Sequence, residues 1–237
     1  GHDDVVAQFQ EALTQGRLAS TFLFVGPPGV GKRTFANALA RTLLCLQNSA
    51  EQMNPCGECE SCRLFLSGNH PDFQVVKKPD DKSTIPVELF IGRDDRRMRE
   101  GLCHHLSLKP YLGGRKVAVI DDADHLNAEG ANSLLKTLEE PPPKSVLILI
   151  GTSADRQLPT IRSRAQTVRF RPLEEDVLID LLRRDGLVTD ESEARRLAGV
   201  AEGSLTRATA WADPAFWQFR GKLLTHLAEP TQGSVRF

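Results

Sequence analysis

The sequence predicts an α/β fold: a parallel sheet domain over residues 1–171, followed by a small helical domain. Three observations carry this. Short apolar runs alternate with helically periodic segments as far as Phe170. A glycine-rich loop, Gly26-Pro27-Pro28-Gly29-Val30-Gly31-Lys32-Arg33-Thr34, joins one apolar run to a periodic segment. Beyond Pro172 the strand-like runs stop and only helical periodicity continues.

Each element follows from local pattern. Val5, Val6, Phe9 and Leu13 recur at helical spacing, and Gly16 supplies a stop. Residues 22–25 read as a buried strand. Residues 34–46 read as a helix with Phe35, Ala38, Leu39, Thr42 and Leu43 on one side. A polar loop over 48–55 leads into a cysteine cluster, and Phe73–Val76 is a short strand before the charged loop 77–84. Residues 87–91 read either as a strand or as the start of a helix reaching His105. A turn over 111–114 precedes the strand Lys116–Ile120, which ends in Asp121-Asp122. The helix 128–138 is stopped by Pro141-Pro142-Pro143, which cannot continue it. Residues 146–150 and 167–170 are the fourth and fifth strands. Residues 173–184, 191–200 and 204–211 read as helices of a small helical domain, 172–211. Pro214 opens a further helix carrying Phe216, Phe219, Leu223 and Leu224, assigned to a third unit over 212–237.

Composition sets the bounds. With 237 residues, 40% hydrophobic and 26% charged, the chain has the make-up of an ordinary globular protein. A net charge of −1 argues against an extended nucleic-acid-coating surface. No apolar run approaches the ~20 residues of a membrane span, so no membrane partner is expected. Gly1 is not an initiator methionine, and a fragment or trimmed chain is expected. Five cysteines, four of them clustered, suggest a metal site in a reducing compartment, hence a cytoplasmic location.

The glycine-rich loop has the G-x-x-x-x-G-K spacing in the strand–loop–helix context that gives it chemistry. Glycines let backbone N–H groups curl around phosphate oxygens at the positive end of the new helix. Lys32 would reach the outer phosphates. The next position, where Ser or Thr would hold Mg²⁺, is Arg33. Thr34 is turned a further ~100° around the helix, so its hydroxyl points elsewhere. Asp121 and Asp122 stand at the C-terminal end of a buried strand, where ligands collect in open α/β sheets. A carboxylate there holds Mg²⁺ while its neighbour polarises the attacking water. Thr152, at the end of the fourth strand, reads either as a sensor of the terminal phosphate or as a strand-end cap. ATP or ADP is the expected nucleotide, with Mg²⁺ in doubt because of Arg33.

Cys45, Cys56, Cys59 and Cys62 follow the spacing C-x10-C-x2-C-x2-C. Four thiolates suit tetrahedral Zn²⁺, and a set without an open position reads as a structural site. The module would span about residues 45–66. Cys103 lies outside the spacing and is expected in the core.

Together these features resemble the ATPase fold of bacterial DNA polymerase III clamp-loader subunits, members of the AAA+ superfamily. The resemblance runs from Gly1-His2-Asp3-Asp4-Val5-Val6 through the loop, the cysteines and Lys116-Val117-Ala118-Val119-Ile120-Asp121-Asp122-Ala123. The stretch Ala131-Asn132-Ser133-Leu134-Leu135-Lys136-Thr137-Leu138-Glu139-Glu140-Pro141-Pro142 is similar to a family signature. The resemblance implies an ATPase domain, a helical lid and a C-terminal collar of which most lies outside this chain.

Within that family, Gly68-Asn69-His70-Pro71-Asp72-Phe73 resembles the delta-prime type rather than the gamma/tau motor. The lid carries Gly203-Ser204-Leu205-Thr206-Arg207-Ala208, with Arg207 one place beyond the motor's nucleotide-sensing arginine. Asp122 stands where the family has a catalytic glutamate, and Ala165 where cysteine usually follows Ser163-Arg164. The resemblance implies that Arg164 acts as an arginine finger on ATP held by a neighbouring subunit. It also implies that gamma/tau and delta subunits, the sliding clamp and primer-template DNA are partners. A chain that binds nucleotide and hydrolyses it poorly is expected. The rival expectation is a gamma/tau-like motor that hydrolyses ATP itself; a AAA+ repair or recombination factor is a third. Arg93, Arg96, Arg97 and Arg99 are interleaved with Asp94, Asp95 and Glu100, which favours a solvated face over DNA contact.

Overall fold

Runs rich in valine, isoleucine and leucine pair into a five-stranded parallel sheet in the computed structural model, which describes residues 1–112 and 114–228. The elements in order are α1 (Asp3–Thr14), β1 (Thr21–Val25), α2 (Lys32–Leu44), α3 (Glu60–Leu66), β2 (Phe73–Val76), α4 (Glu88–Ile91) and α5 (Gly101–Ser107). There follow β3 (Lys116–Ile120), α6 (Ala128–Glu139), β4 (Ser145–Gly151), α7 (Pro159–Arg162) and β5 (Gln166–Arg169). The helices α8 (Glu175–Arg184), α9 (Glu191–Val200), α10 (Leu205–Ala212) and α11 (Pro214–Ala228) complete the described chain. Two compact units result. One comprises His2–Pro27 and Gly31–Arg171; the other runs from Pro172 and takes in Gly1 and Pro28–Val30.

In the sheet unit the strand order is β2-β3-β4-β1-β5. Every residue of β1, β3 and β4 is buried, as expected of parallel strands covered on both faces. The edge strands β2 and β5 are partly exposed. Alternation divides the side chains between two cores. Phe22 and Phe24 pack with Phe9 of α1, Phe35 of α2 and Phe170; the Phe9 and Phe22 rings are 4.9 Å apart and those of Phe24 and Phe170 5.1 Å. Leu23 and Val25 point the other way, into a core with Ala118, Ile120, Leu147 and Leu149, covered by Phe90, Leu102 and Leu134 of α4, α5 and α6. Cys103 is buried in that second core.

Three local expectations are corrected. The helix expected over 34–46 is α2, Lys32–Leu44. Gly31 takes a left-handed conformation (φ 99°), so the chain is already helical at Lys32, and Cys45 is extended, turning its thiol toward the other cysteines. The segment 87–105 is neither a strand nor one helix. It breaks at Gly92 (φ 82°), and α4 and α5 are separate, with a 3-10 turn at Asp94–Arg96 between them. The polar loop 48–55 contains a 3-10 turn, Ala50–Gln52, capped by the Ser49 hydroxyl. The turn expected over 111–114 includes residue 113, and the third unit extends over 229–237; those residues lie outside the described set.

The helical unit is built on Leu178, Ile179 and Leu182 of α8 against Ala194, Leu197 and Ala198 of α9 and Ala208 of α10. The Trp217 indole N–H of α11 donates to the Trp211 carbonyl at 2.5 Å. Phe219, Leu223, Leu224 and Leu227 of α11 are exposed. No described helix is long and apolar enough to cross a membrane.

Candidate functional site

Strand order places three chain segments side by side at one end of the sheet. β4 lies between β1 and β3, with Val25 opposite Gly151 and Ile120 opposite Leu149. The C-terminal ends of these strands therefore bring together the glycine-rich loop, the acidic stretch after β3, and Thr152. Gly26 begins the loop at a point of close backbone approach, where a Cβ would lie 2.3 Å from the Phe170 carbonyl oxygen. Its N–H donates to the Thr152 carbonyl at 3.2 Å.

Lys32 is buried at the start of α2, and its ammonium donates to the carbonyls of Gly26 and Pro27 at 2.6 and 2.7 Å. Burial lowers its pKa, opposed by the nearby carboxylates of Asp124 and Asp121. Arg33 Nη1 lies 3.0 Å from Asp121 Oδ2. The guanidinium thus faces the carboxylate that the sequence pattern assigns to the metal. Asp121 Oδ1 accepts the Asp122 N–H at 3.2 Å. Asp122 is exposed and left-handed (φ 61°), and Thr34 is exposed.

Sequence reasoning missed Asp124. Its Oδ2 accepts from the Thr152 N–H at 2.8 Å and the Thr152 hydroxyl at 2.6 Å, and its Oδ1 from the Gln157 amide at 2.6 Å. With a side chain 8% exposed, Asp124 ties the segment after β3 to the end of β4 and engages the Thr152 hydroxyl. The third acid in Asp121-Asp122-Ala123-Asp124 was the only local signal.

The remaining predicted residues lie elsewhere. Pro28, Gly29 and Val30 group with the helical unit, as does Arg207. Arg207 pairs with Glu202, and its N–H caps onto the Ser204 hydroxyl at 3.2 Å. Arg164 follows α7 and bonds Glu139 Oε1 at the end of α6 (2.7 Å), the Thr160 carbonyl (3.0 Å) and the Ser163 hydroxyl (3.1 Å). Its side chain remains one-third exposed. Arg96 pairs with Glu100 at 2.6 Å, and residues 93–100 are all exposed.

The four cysteines converge, their sulfurs all within 4.8 Å of one another. Cys45 Sγ lies 3.7 Å from Cys56 Sγ, which lies 3.9 Å from Cys62 Sγ. A tetrahedron with Zn–S bonds of ~2.3 Å has edges of about 3.8 Å, so this donor set fits zinc. Cys45 ends α2 and Cys59 caps α3, which fixes the sulfurs through backbone geometry. Burial pushes the Cys45 thiol up, but N–H donors from Cys56, Asn48 and Gln47 outweigh it and hold the group at about 6. Burial pushes Cys62 up to about 12.

Behind this module runs a buried polar chain that was also missed. The Ser61 hydroxyl donates to the Leu44 carbonyl at 2.5 Å and lies 2.8 Å from His70 Nε2. His70 Nδ1 accepts the Asp72 N–H at 3.0 Å, so Nε2 carries the proton and donates to Ser61. Burial lowers the His70 pKa, keeping the ring neutral. Asp72 accepts from the Tyr111 and Leu112 N–H groups at 2.7 and 2.9 Å and pairs with buried Lys116 at 3.1 Å.

The family model described as "DNA polymerase III, delta subunit" matches residues 1–174. The chain is 39% identical over 146 residues to DNA polymerase III subunit delta' of Pseudomonas aeruginosa, covering 62% of this chain and 41% of that protein. It is 36% identical over 196 residues to DNA polymerase III subunit gamma/tau of Mycobacterium bovis, covering 81% of this chain and 32% of that one. The chain spans less than two thirds of the length of these curated relatives. The fold is similar to that of the Thermotoga maritima RuvB Holliday junction branch migration motor, with 17% identity and a TM-score of 0.53 over 97% of this chain and 65% of that one. With its five-stranded parallel sheet, its helical C-terminal part and its four-cysteine cluster, the chain belongs to the DNA polymerase III delta-subunit family as a delta-prime-like member.

Proposed function

We propose that this chain is a delta-prime-type subunit of a DNA polymerase III clamp loader in the cytoplasm. It assembles with gamma/tau and delta subunits to open the sliding clamp and load it onto primer-template DNA. Its own nucleotide site binds ATP or ADP through Gly26–Thr34 and hydrolyses poorly, and Thr152 and Arg207 are assigned to nucleotide sensing from the sequence. Zn²⁺ at Cys45, Cys56, Cys59 and Cys62 is structural: when bound, it cross-links the end of α2 to α3.

The observation that carries this reading is the Arg33–Asp121 ion pair. A motor needs that carboxylate for its metal, and here a guanidinium faces it. The chain's contribution to hydrolysis is then exported through Arg164. Glu139 and the Thr160 carbonyl orient its guanidinium, while partial exposure leaves N–H donors for a neighbour's phosphates. There it offsets charge developing on the transferred phosphoryl group, an effect worth ~10³–10⁵ in rate. The identity with gamma/tau proteins favours the rival reading, in which this chain is itself a motor. ATPase assays of the reconstituted complex separate the two. Arg164→Ala lowers complex turnover under the first reading, whereas under the second the purified chain alone hydrolyses Mg²⁺-ATP in a Lys32-dependent manner.

A further inference from the structure

The Mg²⁺ ion that the fold family implies does not fit the residues present. Mg²⁺ requires a near-octahedral shell of oxygens at ~2.0–2.1 Å. In this fold its protein contacts come from a hydroxyl after the lysine and a carboxylate at the strand end. Arg33 removes the hydroxyl. Both oxygens of Asp121 are engaged, Oδ2 by Arg33 and Oδ1 by the Asp122 N–H, and the side chain is only 15% exposed. Asp124 offers no replacement, since Thr152 and Gln157 engage both of its oxygens. A divalent ion approaching Asp121 would meet a fixed positive charge 3.0 Å from the oxygen it needs.

The same guanidinium is not closed off from a ligand. Its side chain is 56% exposed, and its Nη1 faces Asp121 at 3.0 Å. Arginine carries five N–H donors in a planar fork that matches phosphate oxygens. It stands directly after Lys32, the residue whose ammonium is already directed at the loop carbonyls. Two basic side chains at consecutive positions therefore begin α2, with Asp121 facing the second.

We propose that Arg33 takes the place of Mg²⁺ in this site, so that the chain binds ATP or ADP as the free, metal-uncomplexed nucleoside polyphosphate. This rests on the nucleotide-binding part of the function proposed above and specifies its ligand. Arg33 supplies charge neutralisation without the metal that bridges the β- and γ-phosphates during transfer. The bound nucleotide is then a fixed part of the subunit, held without being turned over.

The test is calorimetric titration of ATP and of ADP into the chain, once in EDTA and once in excess Mg²⁺. The wild type is expected to bind at least as tightly in EDTA, because Mg²⁺ draws nucleotide into a complex the site does not take. Arg33→Thr, which restores the hydroxyl and frees Asp121, is expected to lose about tenfold in EDTA and recover about tenfold on adding Mg²⁺. Arg33→Lys keeps a cation and is expected to remain metal-independent, which separates charge from loss of fold; unfolding midpoints of all three proteins accompany the titrations. Wild-type binding that is about tenfold tighter with Mg²⁺ overturns the proposal alone. So does an Arg33→Thr protein indistinguishable from wild type. Absence of wild-type binding in both buffers overturns it together with the nucleotide-binding reading on which it rests.

Discussion

Replacing Asp72 by alanine tests how the cysteine module is anchored to the sheet. In the wild type the carboxylate is 1% exposed and Lys116 5% exposed, 3.1 Å apart, and two backbone N–H groups also converge on Asp72. The substitution leaves the buried Lys116 ammonium with only the Pro71 carbonyl, at 3.5 Å, and removes the acceptor of two part-buried backbone N–H groups. Breaking one side of a buried ion pair costs roughly 3–5 kcal/mol. At ~2–4 °C per kcal/mol for a domain of this size, the expected fall in Tm is roughly 6–20 °C. Far-UV circular dichroism melts at neutral pH measure it. The double variant Asp72→Ala/Lys116→Met removes both charges and is expected to recover part of the loss. Acid titration adds a signed check. Burial alone would raise the Asp72 pKa, but the Leu112 and Tyr111 N–H groups and Lys116 outweigh it and lower the value. A depressed folded pKa contributes stability above the unfolded value, about 3.9, that is lost as pH falls through the folded one. The gap between wild type and variant should therefore hold down to mildly acidic pH and close only in strong acid. A Tm change under ~3 °C, or a gap that closes near neutrality, would refute this reasoning.

Two other predictions concern metal and loop. Elemental analysis of the purified chain is expected to give one zinc per molecule, and Cys56→Ser or chelation should release it and lower the unfolding midpoint; a metal-free wild type with an unchanged Cys56→Ser midpoint would contradict the assignment. Gly26→Ala places a methyl 2.3 Å from the Phe170 carbonyl. Its expected cost is about 1–3 kcal/mol in stability, together with weakened nucleotide binding in titration; unchanged stability would show that the loop start tolerates the displacement.

Much of the sheet was legible because parallel strands buried on both faces write themselves as apolar runs. Lys116–Ile120 and Phe73–Val76 were read with their observed bounds. The glycine-rich loop and the cysteine spacing were legible because phosphate and zinc chemistry constrain residues close in sequence. What failed was long-range or conformational. The break between α4 and α5 depends on Gly92 adopting a positive φ, which nothing in a helical pattern announces. Asp124 resembled a spare acid until strand order brought Thr152 and Gln157 to it. Arg33 stood out as the wrong residue, yet its ion pair with Asp121 joins two distant segments that only the β1–β4–β3 arrangement makes neighbours. His70 and Asp72 were present within the family-like stretch Gly68–Phe73, while their link to the Ser61 hydroxyl appeared only with the fold.

The proposed role makes this fold serve a partner's active site more than its own. The most direct measurement is the DNA- and clamp-stimulated ATPase rate of a reconstituted complex in which this subunit carries Arg164→Ala, with assembly verified by size-exclusion chromatography. Intact assembly is expected, with turnover at the affected site reduced by ~10³ or more, seen as a large loss in the total rate. Normal turnover in a fully assembled Arg164→Ala complex would contradict it.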